Sequence, residues 1–464
     1  MELEAIIARD TTIDPALAVG EADHADGPWP RALTGWLVVA ALCGAYCISF
    51  IDRYLLTLLV EPVKQDLGLS DTEVGLLQGA AFGLFYAAAG IPMGLIADRG
   101  SRRVTIAVGM FVWTAMTTLS AFASNFWHLF VARMGVGLGE AALSPAAVSL
   151  ISDYFPPERR GRAISVFMTG ATIGSGLAIM IGGAVVGLTR GSDVVVLPLV
   201  DGLRPWQAAF FLVGAPGMLM SVLFMVVREP PRRGRSVPSQ TGGTASFRRF
   251  VADRKALLGL HFTGMACSSI CAYGFTGWTP AYFMRVHGWT PEEVGAGLGP
   301  AILVGLTAGM LAGGALADRG RGRGDVVAAI RVAAWSLALL AIAAPLATLP
   351  SDPVVALLAL GVVNFAVAAP AGVSLTALTA LAPNELRGRL VAAYLFTISV
   401  AGFGIGPTFV GYLNDHLFTD PGGVRHSLSA LGAVFGPLAA LSLALAVRPY
   451  LTALRHPPVI NRTV

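Results

Sequence analysis

The sequence predicts an all-α membrane protein of twelve transmembrane helices in two pseudo-symmetric six-helix bundles, and three observations predict it. Hydrophobic residues make up 55% of the 464 residues and charged residues only 13%, with a mean hydropathy of +0.68, whereas about 25% of an ordinary soluble domain is charged. Twelve apolar runs approach or exceed the roughly 20 residues that cross a bilayer as a helix. They lie near 33–60, 72–97, 103–124, 127–152, 161–188, 206–227, 256–284, 292–317, 325–348, 353–381, 388–414 and 428–447. Short motifs of the first half also return, in order, in the second. Glu73-Val74-Gly75 recurs as Glu293-Val294-Gly295 and Ala97-Asp98-Arg99-Gly100 as Ala317-Asp318-Arg319-Gly320, both 220 residues on, and the stretch from Pro157 to Arg162 recurs from Asn384 to Arg389, 227 residues on.

Taken in order, residues 1–30 read as a disordered cytoplasmic tail, acidic and without the basic start and cleavage site of a signal peptide. Residues 31–227 form the first six-helix bundle, 228–255 a basic cytoplasmic linker, 256–447 the second bundle and 448–464 a cytoplasmic tail. Arginines cluster in alternate loops, at Arg99, Arg102 and Arg103, at Arg159, Arg160 and Arg162, at Arg319, Arg321 and Arg323, and at Arg387 and Arg389. By the positive-inside rule this puts both termini in the cytoplasm, which requires an even number of spans. The net charge of +4 is therefore topogenic, and nucleic acid is not an expected partner. The 55 glycines suit close helix packing in a membrane. Cys43 with Cys47 and Cys267 with Cys271 are small helix-face residues at i, i+4, with no metal-site spacing. No HExxH, P-loop or nucleophile elbow points to an enzyme.

Two sets of charges lie inside apolar runs. Asp52 and Arg53 sit side by side in the first, and Arg133 and Glu140 lie seven residues apart in the fourth, on one helix face and roughly 10 Å apart along the axis. A charge at the centre of a membrane helix costs at least ~2.5 kcal/mol, so such residues face a bundle interior or a cavity and mark substrate or proton pathways. Snorkelling to the interface is the alternative for Asp52 and Arg53. Counted from the helix ends, Asp52 and Arg133 share a depth. Aligning the cysteine pairs puts Thr276 and Gly277 opposite Asp52 and Arg53, and Leu360 and Val367 stand opposite Arg133 and Glu140. The charges therefore belong to the first half, and the second offers a mainly apolar and aromatic wall that includes Tyr273, Thr276, Trp278 and Asn364. An amphiphile with an ionic head and an apolar tail fits that asymmetry.

The loop from Gly94 through Asp98, Arg99 and Gly100 to Arg102 and Arg103 resembles the loop signature of the major facilitator superfamily, with Gly314 to Arg323 as a weaker copy. The resemblance implies that Gly94, Asp98, Arg99, Arg102, Arg103, Asp318 and Arg319 form a cytoplasmic gate that latches the outward-open state. It also implies that spans one and four line a central cavity, so that Asp52 pairs with Arg133 and Arg53 with Glu140, and Asp52 or Glu140 exchanges a proton. A static structural bridge is the bland alternative. Phe50-Ile51-Asp52-Arg53-Tyr54, Gly137-Leu138-Gly139-Glu140-Ala141 with Ser144-Pro145-Ala146, and the run from Tyr154 to Arg162 are similar to bacterial Spinster-type members.

That likeness implies transport of a lysophospholipid or sphingosine-1-phosphate-like lipid by alternating access in the bacterial inner membrane. The transporter would be a monomer among membrane lipids, driven by the proton gradient with no bound cofactor or metal. The alternatives are a small organic-anion/proton symporter or a multidrug exporter, and a non-transporting membrane receptor.

Overall fold

The computed structural model describes residues 29–188, 194–197, 200–232 and 244–455. Almost all of the expected tail 1–30, the middle of the linker and residues 456–464 of the final tail lie outside them. Among the described residues, twelve helices are long and apolar enough to cross a membrane: Ala32–Leu58, Asp71–Arg99, Arg102–Ser120, Phe126–Tyr154, Pro157–Ala184, Pro205–Val226, Lys255–His287, Pro291–Gly322, Ala328–Leu346, Pro353–Leu381, Leu386–His416 and Pro421–Leu454. They are spans one to twelve below. An antiparallel hairpin, Val195–Leu197 with Val200–Leu203, interrupts the helical pattern before span six.

The repeated Glu-Val-Gly motif has a local cause. Ser70 and Glu73 form a capping box at the start of span two, and Thr290 and Glu293 form one at the start of span eight, each satisfying amides that a helix start leaves orphaned. The valines that follow, Val74 and Val294, are fully buried. The glycines permit backbone approach between the halves: an added Cβ at Gly75 would come within 2.6 Å of the Pro407 carbonyl of span eleven, and one at Gly295 within 2.9 Å of the Ile179 carbonyl of span five.

Packing repeats in the same way. Spans one and five, two and four, and three and six pair in the first half, as do seven and eleven, eight and ten, and nine and twelve in the second. The halves meet where span two packs on span eleven and span five on span eight, each contact the pseudo-symmetric image of the other. The glycine stripe of span five divides between these tasks. Gly170 and Gly174 abut Cys43 and Cys47 of span one, whereas Gly183 abuts Pro291 of span eight.

Two segments depart from the expected boundaries. The last helix continues to Arg455, because Tyr450 is buried and its hydroxyl donates to the Ala377 carbonyl at 2.9 Å. The linker contains a helix, Thr244–Asp253, in which Phe250 is buried beneath the Arg254 guanidinium. The four cysteines are unpaired.

Candidate functional site

Asp52, Arg133 and Glu140 are 1–2% exposed, and Arg53 joins them in one cluster. Arg133 Nη1 lies 3.4 Å from Asp52 Oδ1, and the Thr117 hydroxyl donates to Asp52 Oδ2. Arg53 donates through Nε to Glu140 Oε2 at 2.6 Å, and Ser49 donates to the same oxygen at 2.7 Å. Both expected cross-helix pairs are therefore present. Span four is broken just after Glu140, where the helix Phe126–Glu140 ends and Leu143–Tyr154 begins. The Arg53 guanidinium also lies 4.7–4.8 Å from the ring centres of Phe50, Phe82 and Tyr86, an arrangement that favours a desolvated cation.

The second half closes over this cluster. A cavity with about 50 Å³ of free space is lined by Phe50, Arg53, Tyr54, Thr57, Gln78, Phe82 and Arg133 from the first half and by Tyr273, Thr276, Gly277, Phe403 and Pro407 from the second. Tyr273 and Thr276 thus stand where they were expected. Trp278 and Asn364 do not. Trp278 is fully buried with Nε1 donating to the Pro407 carbonyl at 2.9 Å, and Asn364 donates to the Leu360 carbonyl within its own helix and packs toward Gly305 of span eight. Both are packing residues. Pseudo-symmetry gave their depth but not the rotation of their helices. Gln78, Phe82 and Phe403 were missed, since single neutral or aromatic residues in apolar runs carry no distinguishing signal.

Beyond the cavity, at the end opposite the Gly94–Arg103 loop, the halves are locked. Asp71, 2% exposed, accepts from Lys64 at 2.5 Å, from Arg285 Nη1 and Nη2 at 2.6 and 3.0 Å, and from Asn414 at 2.8 Å. Arg285 Nε also donates to Glu61 at 2.6 Å. Asp415 accepts from the Asp71 and Thr72 amides at 3.0 and 2.7 Å, so a carboxylate of one half caps the positive N-terminus of a helix in the other.

Toward the motif end the packing is open. Added Cβ atoms at Gly90, Gly94, Gly314 and Gly388 would meet nothing, and Ile91 and Leu95 are 60% and 53% exposed. The expected latch belongs to the outward-open state, and here the loop is held by other bonds. The Asp98 side chain is exposed, and what accepts is its backbone carbonyl, from Arg232 at 2.5 Å. Arg232 also bonds the carbonyls of Ala97 and Gly100. Glu229 accepts from Ser101 Oγ at 2.6 Å, the Arg102 and Arg103 amides at 3.1 Å and Arg102 Nε at 2.7 Å. Arg102 also pairs with Asp153, and Arg103 donates to the Met225 and Val227 carbonyls.

The start of the linker is therefore a strap across the loop, binding the C-terminus of span two and the N-terminus of span three. Arg99 and Arg319 are exposed, and Asp318, 77% exposed at its side chain, is 3.6 Å from Arg321.

Burial opposes ionisation of Glu229, but Ser101, Arg102 and the two amides outweigh it and hold its carboxyl down at about 2. Its contribution to stability is thus complete above the ordinary 4.5 and is lost as pH falls toward 2. Glu229→Gln is expected to cost about 1–2 kcal/mol through the lost cap and charge-assisted bonds. This is read as a lower Tm at neutral pH and a smaller difference from wild type below pH 4.

The family described as Major Facilitator Superfamily matches residues 42–407. The chain belongs to that superfamily. It is accordingly a membrane transporter rather than an enzyme. As a member of the superfamily it is similar, at 27% identity over 91% of this chain and 99% of the other, to a bacterial homologue of the human lysosomal transporter Spinster, solved in an inward-facing and unoccupied conformation, with a TM-score of 0.80. An MFS-type efflux pump of Mycolicibacterium smegmatis is 30% identical over 94% of this chain and 96% of its own length. The sphingosine-1-phosphate transporter SPNS2 of Mus musculus is 31% identical over 52% of this chain and 42% of that protein.

Proposed function

We propose that the chain carries an amphiphilic lipid, of the lysophospholipid or sphingosine-1-phosphate class, across the membrane by alternating access, with Asp52 coupling the movement to protons. The observation that carries this reading is the one-sided cavity. Arg53 and Arg133 come from the first half, and Tyr273, Thr276 and Phe403 face them from the second. An anionic head would bridge Arg53 and Arg133, both of which line the cavity, loosening them from Glu140 and Asp52, and an apolar tail would lie along the second half toward the motif end. The likeness to Spinster-type transporters supports the substrate class.

With the motif end cytoplasmic, the locked far end makes this the inward-facing state. Moving to the outward-facing state would separate Asp71 from Arg285 and bring the two motif loops together. Asp52 holds its proton when Arg133 turns away to a substrate and releases it when the pair re-forms, because a buried carboxylate needs either a proton or a counter-charge.

A small organic-anion symporter is the second reading, favoured by the narrowness of the space beside Arg53. Proteoliposomes containing the purified protein distinguish them. Protein-dependent movement of labelled lysophosphatidylglycerol, undiminished by excess gluconate, is expected. Movement of gluconate alone would replace the lipid by a small anion.

A further inference from the structure

Gln78 is 8% exposed, and neither its Oε1 nor its Nε2 has a hydrogen-bond partner among the described residues. Burying an amide without partners is costly, and no internal bond offsets that cost here. Its position is set by the backbone: the helix Asp71–Gln78 ends there, Gly79 leaves helical geometry, and the span resumes at Ala80. The side chain lines the cavity, with its Oε1 beside the bare backbone of Gly277 on span seven. Gln78 also stands one helical turn from Phe82, roughly 6 Å along the axis, and the Phe82 ring lies 4.8 Å from the Arg53 guanidinium. The unpartnered amide and the cavity's cation are thus neighbours across one wall.

A carboxamide offers two donors and an acceptor, which suits a hydroxyl that both gives and takes a hydrogen bond. A guanidinium offers donors only and suits a carboxylate or phosphate. Thr57 already donates its proton to the Tyr54 carbonyl at 2.7 Å, so its oxygen can only accept from a ligand. We propose that Gln78 is the specificity-determining residue of the cavity, reading a hydroxyl that neighbours the anionic group held by Arg53. The inference rests on the reading of this cavity as the transport site. Hydroxylated anions occur both as lysolipid heads and as free sugar acids, and the test separates the two.

Affinities of the purified wild type and Gln78→Met are measured by ligand-dependent thermal shift. The probes are lysophosphatidate against its 2-deoxy analogue, and gluconate against 2-deoxygluconate. Wild type is expected to favour the hydroxylated lipid by roughly tenfold, the scale of one well-made hydrogen bond. Gln78→Met should reduce that ratio to about one while keeping or raising the Tm of the ligand-free protein, since a volume-matched apolar side chain replaces a buried amide.

Discrimination confined to the sugar-acid pair would uphold Gln78 as the reader and overturn the lipid as substrate. Wild type that binds the lipids and discriminates within neither pair would overturn the role of Gln78 and leave the lipid reading standing. A variant with a lower Tm and an unchanged ratio would make Gln78 merely structural and overturn the proposal.

Discussion

Asp52→Asn is expected to reduce substrate-driven proton movement to background while the protein still folds and binds its substrate. An amide cannot take up a proton, so the carrier is lost outright and the pH dependence of substrate affinity should vanish with it. Folding should survive at reduced stability. Removing one member of a buried ion pair costs about 3–5 kcal/mol when the partner is stranded, but the introduced carboxamide would keep an oxygen to accept from Arg133, and its NH2 could donate to the Thr117 hydroxyl, which also bonds the Trp113 carbonyl. We expect a loss of about 1–3 kcal/mol. A pH-sensitive dye inside proteoliposomes and a thermal melt check the two parts separately. Glu140→Gln should behave differently, because Glu140 is held by Ser49 and by the Arg53 guanidinium. Its substitution frees Arg53 and is expected to alter substrate affinity more than proton coupling.

The second large effect concerns the lock between the halves. Arg285→Gln removes the guanidinium that bonds both Glu61 and Asp71, leaving Lys64 and Asn414 as the remaining partners of Asp71. Hydrogen bonds to charged groups contribute about 1.5–3 kcal/mol each, and in the proposed alternating cycle these form only in the state closed at the far end. Losing one such contribution shifts the balance by roughly tenfold or more toward the state open at the far end. In a cysteine-free background, spin labels at Ser124 and Ser351, both exposed on far-end loops, should show a longer distance population in the variant. An unchanged distribution would mean that the glycine-lined contacts alone hold this end shut.

These residues differ in how readable they were. The twelve spans were legible because hydrocarbon admits only long apolar helices with internally satisfied backbones, and the repeated Glu-Val-Gly motif marked the same register twice. The pairs Asp52–Arg133 and Arg53–Glu140 were legible for a related reason: four charges in apolar runs at matching depths have few other partners.

Trp278 and Asn364 were misplaced because an offset along the chain says nothing about which way a helix is turned. The lock was invisible because Asp71 and Arg285 are 214 residues apart and each, read alone, is an ordinary residue at a helix end. Asp98 is exposed here, and its expected latch belongs to the outward-open state; Glu229 was not legible because the loop motif stops at Arg103, while this further group that organises the loop lies beyond span six.

Proton coupling through Asp52 is tested most directly by proton movement evoked by lysophosphatidylglycerol alone, in wild-type proteoliposomes with no imposed proton gradient. A lipid gradient is expected to drive protons across the membrane in step with the lipid, and Asp52→Asn to abolish this. Lipid movement without proton movement would contradict the coupling, leaving a uniporter in which the four buried charges only bind and gate.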